Sequence, residues 1–186
     1  MNDSLGHLLY DLDLFGAEVY EVLEAHYGKP YLQRRLEGRY LSLVRSGPTL
    51  LVVAGPRGKA WLGYTQPYAS NRPSTVMRSL LQRRVLERFL PQGYILVQRT
   101  PFHLLLNHPE GAPLRVAVGL QPQRPITLQR LRQRHPQQRL LVAGIRQPQR
   151  RVLERYQVGW LRLSPGARQL PIPSPYLPRP FPLPVV

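Results

Sequence analysis

Apolar residues set the first prediction. Leu5, Leu8, Leu9, Leu12 and Phe15 recur three and four residues apart, which predicts a helical segment over residues 5–27 with Asp3 or Ser4 as its N-cap. Gly16 is a candidate interruption. Val19, Val22, Leu23 and His26 continue a second face, and Gly28 ends the segment. Pro30 suits the first turn of a second helix over 30–45, with Leu32, Leu36, Tyr40 and Val44 on the inner side. Gln33, Arg34, Arg35 and Arg39 point largely elsewhere. Residues 49–64 read as a hairpin: TLLVVA and KAWLGY are strand-like and flank Gly55-Pro56-Arg57-Gly58.

Residues 67–75 are a linker by composition and the expected domain boundary, closing a unit over 1–66. VMRSLLQRRVLERFL, at 76–90, predicts an amphipathic helix with Leu80, Leu81, Val85 and Phe89 on one side and Arg78, Arg83, Arg84 and Arg88 on the other. Strands are expected at 94–99, 102–106 and 114–120. A helix at 126–135, a strand at 140–145, a helix at 149–157 and a strand at 159–163 follow. The order α-β-β-β-α-β-α-β over 76–165 predicts a small mixed α/β domain. Residues 166–186 form a tail with prolines at 171, 173, 175, 178, 180, 182 and 184, which favours extended backbone and forbids helix. QRRVLERF at 82–89 is echoed by QRRVLERY at 149–156. On both helices Glu (Glu87, Glu154) is within reach of the preceding arginines.

Charge changes the picture. The chain has 186 residues, 26 Lys+Arg against 10 Asp+Glu, and a formal net charge of +16. Only Lys29 and Lys59 are lysines. Residues 1–24 hold six acids (Asp3, Asp11, Asp13, Glu18, Glu21, Glu24) and no Lys or Arg. Four acids and all 26 cations follow, so −6 is succeeded by +22. With no cysteine there is no disulfide scaffold and no thiol chemistry. No apolar run suits a membrane span and the N-terminus does not read as a secretory signal, so a cytoplasmic protein that seeks polyanions is expected.

Catalytic signatures are missing. The α-β-β-β-α-β order is also that of restriction-endonuclease-like cores, whose metal chemistry needs carboxylates and usually a Lys on the second and third strands. FHLLL and LRVAVGL carry neither. Beyond residue 24 the acids are Glu37, Glu87, Glu110 and Glu154. Asp11 and Asp13 lie two apart and share no helical face, so the acids of the head read as a solvated surface. His7, His26, His103, His108 and His135 show no metal-ligand spacing, and no phosphate-cradling glycine motif occurs. Catalytic residues, metal and cofactors are therefore expected to be none.

Surface for binding phosphate remains. Three helices followed by a hairpin is the order of a winged helix, in which one helix enters the major groove and the hairpin tip touches backbone. Gln33, Arg34, Arg35 and Arg39 would then face the groove, with Arg57 and Lys59 on the wing tip. Arg83, Arg84, Arg130, Arg134, Arg150 and Arg151 would add sequence-independent phosphate contacts. TLLVVAGPRGKAWLGYT resembles the wing of winged-helix proteins encoded near plasmid replication genes, and the part that follows resembles the degenerate nuclease-like domain of the replication-relaxation type. The resemblance implies a bacterial, non-enzymatic, double-stranded DNA-binding protein acting in transcription, replication or plasmid maintenance, associated with the nucleoid. The alternatives are an RNA-binding or ribosome-associated protein, with Tyr64, Tyr68, Tyr94, Trp160 and Tyr176 stacking on bases, a nuclease using the acids of the head, and an assembly component whose acidic head and proline tail bind proteins.

Overall fold

The computed structural model describes residues 4–65 and 71–165. The expectations for the proline-rich tail, and for residues 67–70 of the linker, lie outside these residues. Helix α1 (Ser4–Phe15) buries Leu8, Leu9, Leu12 and Phe15, the stripe its spacing predicts. Gly16 ends it with φ +90°, where an added Cβ would lie 2.7 Å from Ser79 Cβ. A two-residue strand β1 (Glu18–Val19) leads into α2 (Tyr20–Tyr27), and Gly28 separates α2 from α3 (Lys29–Glu37).

Two expectations fail after α3. The helix placed over 30–45 stops at Glu37, and residues 41–46 form strand β2 (Leu41–Ser46). Arg39 adopts φ +59°, a left-handed conformation that cannot continue a helix. Gly47 then takes φ +60° and turns the chain into β3 (Thr49–Ala54). The hairpin is therefore β2–β3, and the second strand expected at KAWLGY is instead part of helix α4 (Pro56–Trp61). The glycines read as turn signals serve another purpose. A Cβ on Gly58 would sit 2.2 Å from the Tyr40 carbonyl oxygen, and one on Gly55 2.5 Å from that of Arg39. They let α4 press against the start of β2. Strand β1 pairs with β3, giving a three-stranded antiparallel sheet in the order β1–β3–β2.

Helix α5 (Pro73–Phe89) begins three residues earlier than its apolar pattern suggests, with Pro73 in the first turn. It is buried on more than one side. Val76, Met77 and Leu80 pack with Ala17, Val19, Val44 and Leu51 of the first part of the chain. Leu81, Val85 and Leu86 pack on a second sheet, together with Phe15.

A single 3₁₀ turn follows α5. The second sheet then comprises β4 (Ile95–Arg99), β5 (His103–His108), β6 (Gly111–Gly119), β7 (Arg139–Gly144) and β8 (Gly159–Arg162), ordered as in the chain. The first three strands are antiparallel. β6, β7 and β8 are parallel and are joined through α6 (Pro125–Arg134) and α7 (Arg150–Arg155). Val116, Val118, Ala143 and Leu161 face α5, whereas Ala117, Val142, Leu128 and Leu153 form a cluster between the sheet and α6 and α7. The result is a three-layer arrangement of mixed α+β class, with the order of elements expected over 76–165. Among the described residues no helix is long and apolar enough to cross a membrane.

Candidate nucleic-acid interface

Helix α3 keeps Leu32 inward and leaves Gln33 and Arg34 exposed. Arg35 is half-buried, with its guanidinium 4.8 Å from the centre of the Tyr31 ring. Arg39 is exposed just past the helix, at the left-handed residue that releases the chain into β2. Arg57 is not on a wing tip. It lies in the first turn of α4, where its backbone N–H donates to the Arg39 carbonyl (3.0 Å) and its guanidinium covers Tyr40 at 5.0 Å. Arg39 and Arg57 are thus neighbours after all, brought together by a helix. Lys59 is not with them. Its Nζ donates to Asn71 Oδ1 (3.2 Å), and burial lowers its pKa below the ordinary value. The real hairpin turn, Gly47-Pro48, has the exposed Arg45 two residues before it on β2. Arg45 was missed because its strand was read as helix. The signal was the strand-like LSLVRS bounded by Gly47-Pro48.

Arg83 and Arg84 are corrected outright as DNA contacts. Both are buried, 6% and 2% exposed, and face the acids of the head. Arg83 reaches Asp11 at 2.7 Å, Glu18 at 2.9 Å and Glu87 at 2.9 Å. Arg84 pairs with Glu18 and, at 2.8 Å, with Glu87, and donates to the Pro165 carbonyl at 3.2 Å. Three carboxylates therefore surround two guanidinium groups inside the protein. Burial works to raise the Glu18 carboxyl, but the Arg84 hydrogen bond and the charges of Arg83 and Arg84 outweigh it and hold it below its ordinary value. The solvated acidic face expected for the head is in this part an internal ion cluster. Arg99, on β4, adds a second tie: it donates to Gln82 Oε1 (2.9 Å) and to the carbonyls of Leu14 and Phe15 at the end of α1.

The echoed sequence thus has two fates. On α5 Arg83 and Arg84 are interior ligands of carboxylates. On α7 Arg150 and Arg151 are exposed, and the 2.7 Å pair of Arg150 with Glu154 lies in solvent. On α6 Arg130 and Arg134 are exposed, four residues apart on one face. Arg132 turns inward and donates to the carbonyls of Gln138 and Tyr156, each at 3.1 Å, and to that of Gln157. Because α6 begins where β6 ends and finishes where β7 begins, Arg134 and Arg150 lie toward opposite ends of the parallel strands.

A different repeat, outside the helical echo, has structural meaning. Strand β6 ends in Val118-Gly119 and reaches α6 through Pro122-Gln123-Arg124. Strand β7 ends in Ala143-Gly144 and reaches α7 through Pro148-Gln149, with Arg150 as the first helical residue. Gly119 pairs in register with Gly144, and Gly144 with Arg162 of β8. A Cβ on Gly144 would lie 2.6 Å from the Gly119 carbonyl oxygen, so the close approach of the two strand ends needs glycine there, while one on Gly119 would meet the movable end of the Gln123 side chain. Arg124, Arg146, Arg150, Arg151 and Arg162 are all exposed.

At the opposite end of these strands, a cavity of about 400 Å³ is lined by Arg132, Gln138, Arg139, Leu141 and Gly159 among others. Among the described residues, no group of three or more His, Asp or Glu is placed to hold a metal ion. No family model matches the chain, and no curated protein or solved structure matches it either.

Proposed function

We propose that the chain is a non-enzymatic, double-stranded DNA-binding protein of transcription, replication or plasmid maintenance control, whose residues 4–54 form a winged-helix-like head. The reading rests on one observation above others. Helix, short strand, helix, helix and hairpin are joined by a sheet in the order β1–β3–β2, and the helix before the hairpin exposes Gln33 and Arg34. The wing in this reading is the β2–β3 turn with Arg45, and Arg39 and Arg57 flank α3 on the backbone side. Gln reads adenine and Arg reads guanine or grips phosphate, so α3 carries the chemistry of groove recognition. The resemblance to the replication-relaxation type belongs to the same proposal.

The RNA reading finds less support. Tyr94 packs edge-on against Phe89 and also against His108, Trp160 is half-buried, and the Tyr64 hydroxyl is taken by Asp13.

Anisotropy of labelled duplex DNA at two salt concentrations tests the proposal. Affinity is expected to fall steeply with salt, and Gln33→Ala with Arg34→Ala is expected to cost about 1–3 kcal/mol and relax sequence preference. A flat salt response, or an unchanged affinity in the double variant, refutes it.

A further inference from the structure

We infer that the carboxyl ends of β6, β7 and β8 carry a second DNA contact, a row of arginines that grips the phosphate backbone without reading bases. This rests on the duplex-binding reading above. The register places Gly119, Gly144 and Arg162 side by side on adjacent parallel strands, which are about 4.8 Å apart. Each glycine opens a short loop that delivers Pro-Gln-Arg to the start of a helix, with Arg124 as the residue before α6 and Arg150 as the first residue of α7. Arg146 lies within the second loop and Arg151 one residue into α7. Arg162 closes the row at the end of β8.

Charge makes this end of the sheet selective for a polyanion. No Asp or Glu occurs between Gly111 and Leu153. Glu154 pairs with Arg150, and among the described residues no ion pair engages Arg124, Arg146, Arg151 or Arg162. Arginines spread over two loops, the first turn of α7 and the end of β8 do not form the single helix face that enters a groove, but they suit a rail of phosphates, where each guanidinium offers a planar fork of donors. The contact therefore adds affinity and positions the duplex, while discrimination stays with α3.

The test compares four full-length proteins on a labelled duplex of about 20 base pairs over a salt series: the native chain, the head variant Gln33→Ala with Arg34→Ala, and two body variants. The first body variant replaces Arg124, Arg146, Arg151 and Arg162 by Gln. The second replaces Arg130 and Arg134 by Gln. Every substituted body position is exposed, and thermal melts confirm that the fold is kept. The row variant is expected to lose about 0.9 in the slope of log K against log salt for each contact removed, with its preference among duplex sequences intact. An unchanged slope overturns the row even where the head variant has lost discrimination and so upholds α3. An equal loss per charge in the Arg130/Arg134 variant assigns the effect to diffuse charge and overturns it as well. Tighter binding of a duplex RNA of the same sequence overturns the DNA assignment. If the row variant behaves as expected while the head variant keeps full discrimination, the row stands and the α3 reading falls. Absence of any binding by the native chain overturns both.

Discussion

Glu18 shows how much one side chain decides in this protein. It is 1% exposed, and its carboxylate joins β1 to α5 through Arg83 and Arg84. A buried pair is weak evidence for net stability when both partners could be replaced by apolar groups, but removal of one partner leaves the other charge desolvated. Glu18→Gln is therefore expected to cost about 3–5 kcal/mol in urea unfolding, because two buried guanidinium groups would then share Asp11 and Glu87. The pH dependence has a definite sign. Burial opposes the charged form of Glu18, but the Arg84 hydrogen bond and the two arginine charges hold its folded pKa below 4.5. Its contribution is fully present above 4.5 and is lost as pH falls through the lowered folded value. His103 behaves differently. Burial first, then Arg115 and His135, lowers it from 6.5, so the unfolded chain binds the proton more readily and stability declines as pH drops below 6.5. Denaturant midpoints across pH would show two declines, and His103→Gln should reduce only the upper one, to which His135, also lowered from 6.5 by burial and by Arg115 and Arg134, adds.

The two copies of QRRVLER separate local sequence from tertiary context. Both form helix, and both place Glu within reach of a preceding Arg, as i, i+3 and i, i+4 spacing requires. What differs is the partner across the gap. α5 meets Asp11 and Glu18, residues 72 and 66 positions away, whereas α7 meets water. No local pattern in the segment could have told them apart, although the acid-rich head was a hint that its charges needed partners. Arg84→Ala is expected to destabilise by about 3–5 kcal/mol, whereas Arg151→Ala should stay within about 0.5 kcal/mol and act on DNA binding instead. Paired thermal melts and anisotropy on the two variants would check this crossed pattern. Glycine was ambiguous in the same way. The order of elements after residue 76 was legible because β-strands there are bounded by turns and alternate with periodic helices. The hairpin was misplaced because Gly55 and Gly58 serve close packing against residues 39–41, while Arg39, the second residue past α3, carries no glycine signature for its positive φ.

At the scale of the whole chain, the split of −6 against +22 sorts into two parts once the structure is in place. Asp11 and Glu18 are consumed inside by Arg83 and Arg84, and the arginines of the loops after β6 and β7 face solvent. The acids of the head are thus part of what makes α5 common to both sheets. Val76, Met77 and Leu80 of this helix close the first hydrophobic cluster, and Leu81, Val85 and Leu86 close the second, which also takes in Phe15 from α1. Removing α5 would expose both clusters and leave Glu18 without its cations. The described parts should therefore unfold in one cooperative transition, with tryptophan fluorescence from Trp61 and Trp160 following the same curve. Leu80→Ala, at a fully buried position on α5, should cost about 2–5 kcal/mol and move both probes together. Two separated transitions, with Trp61 shifted and Trp160 unmoved, would mean instead that Leu80 supports the head alone and that the two sheets unfold independently.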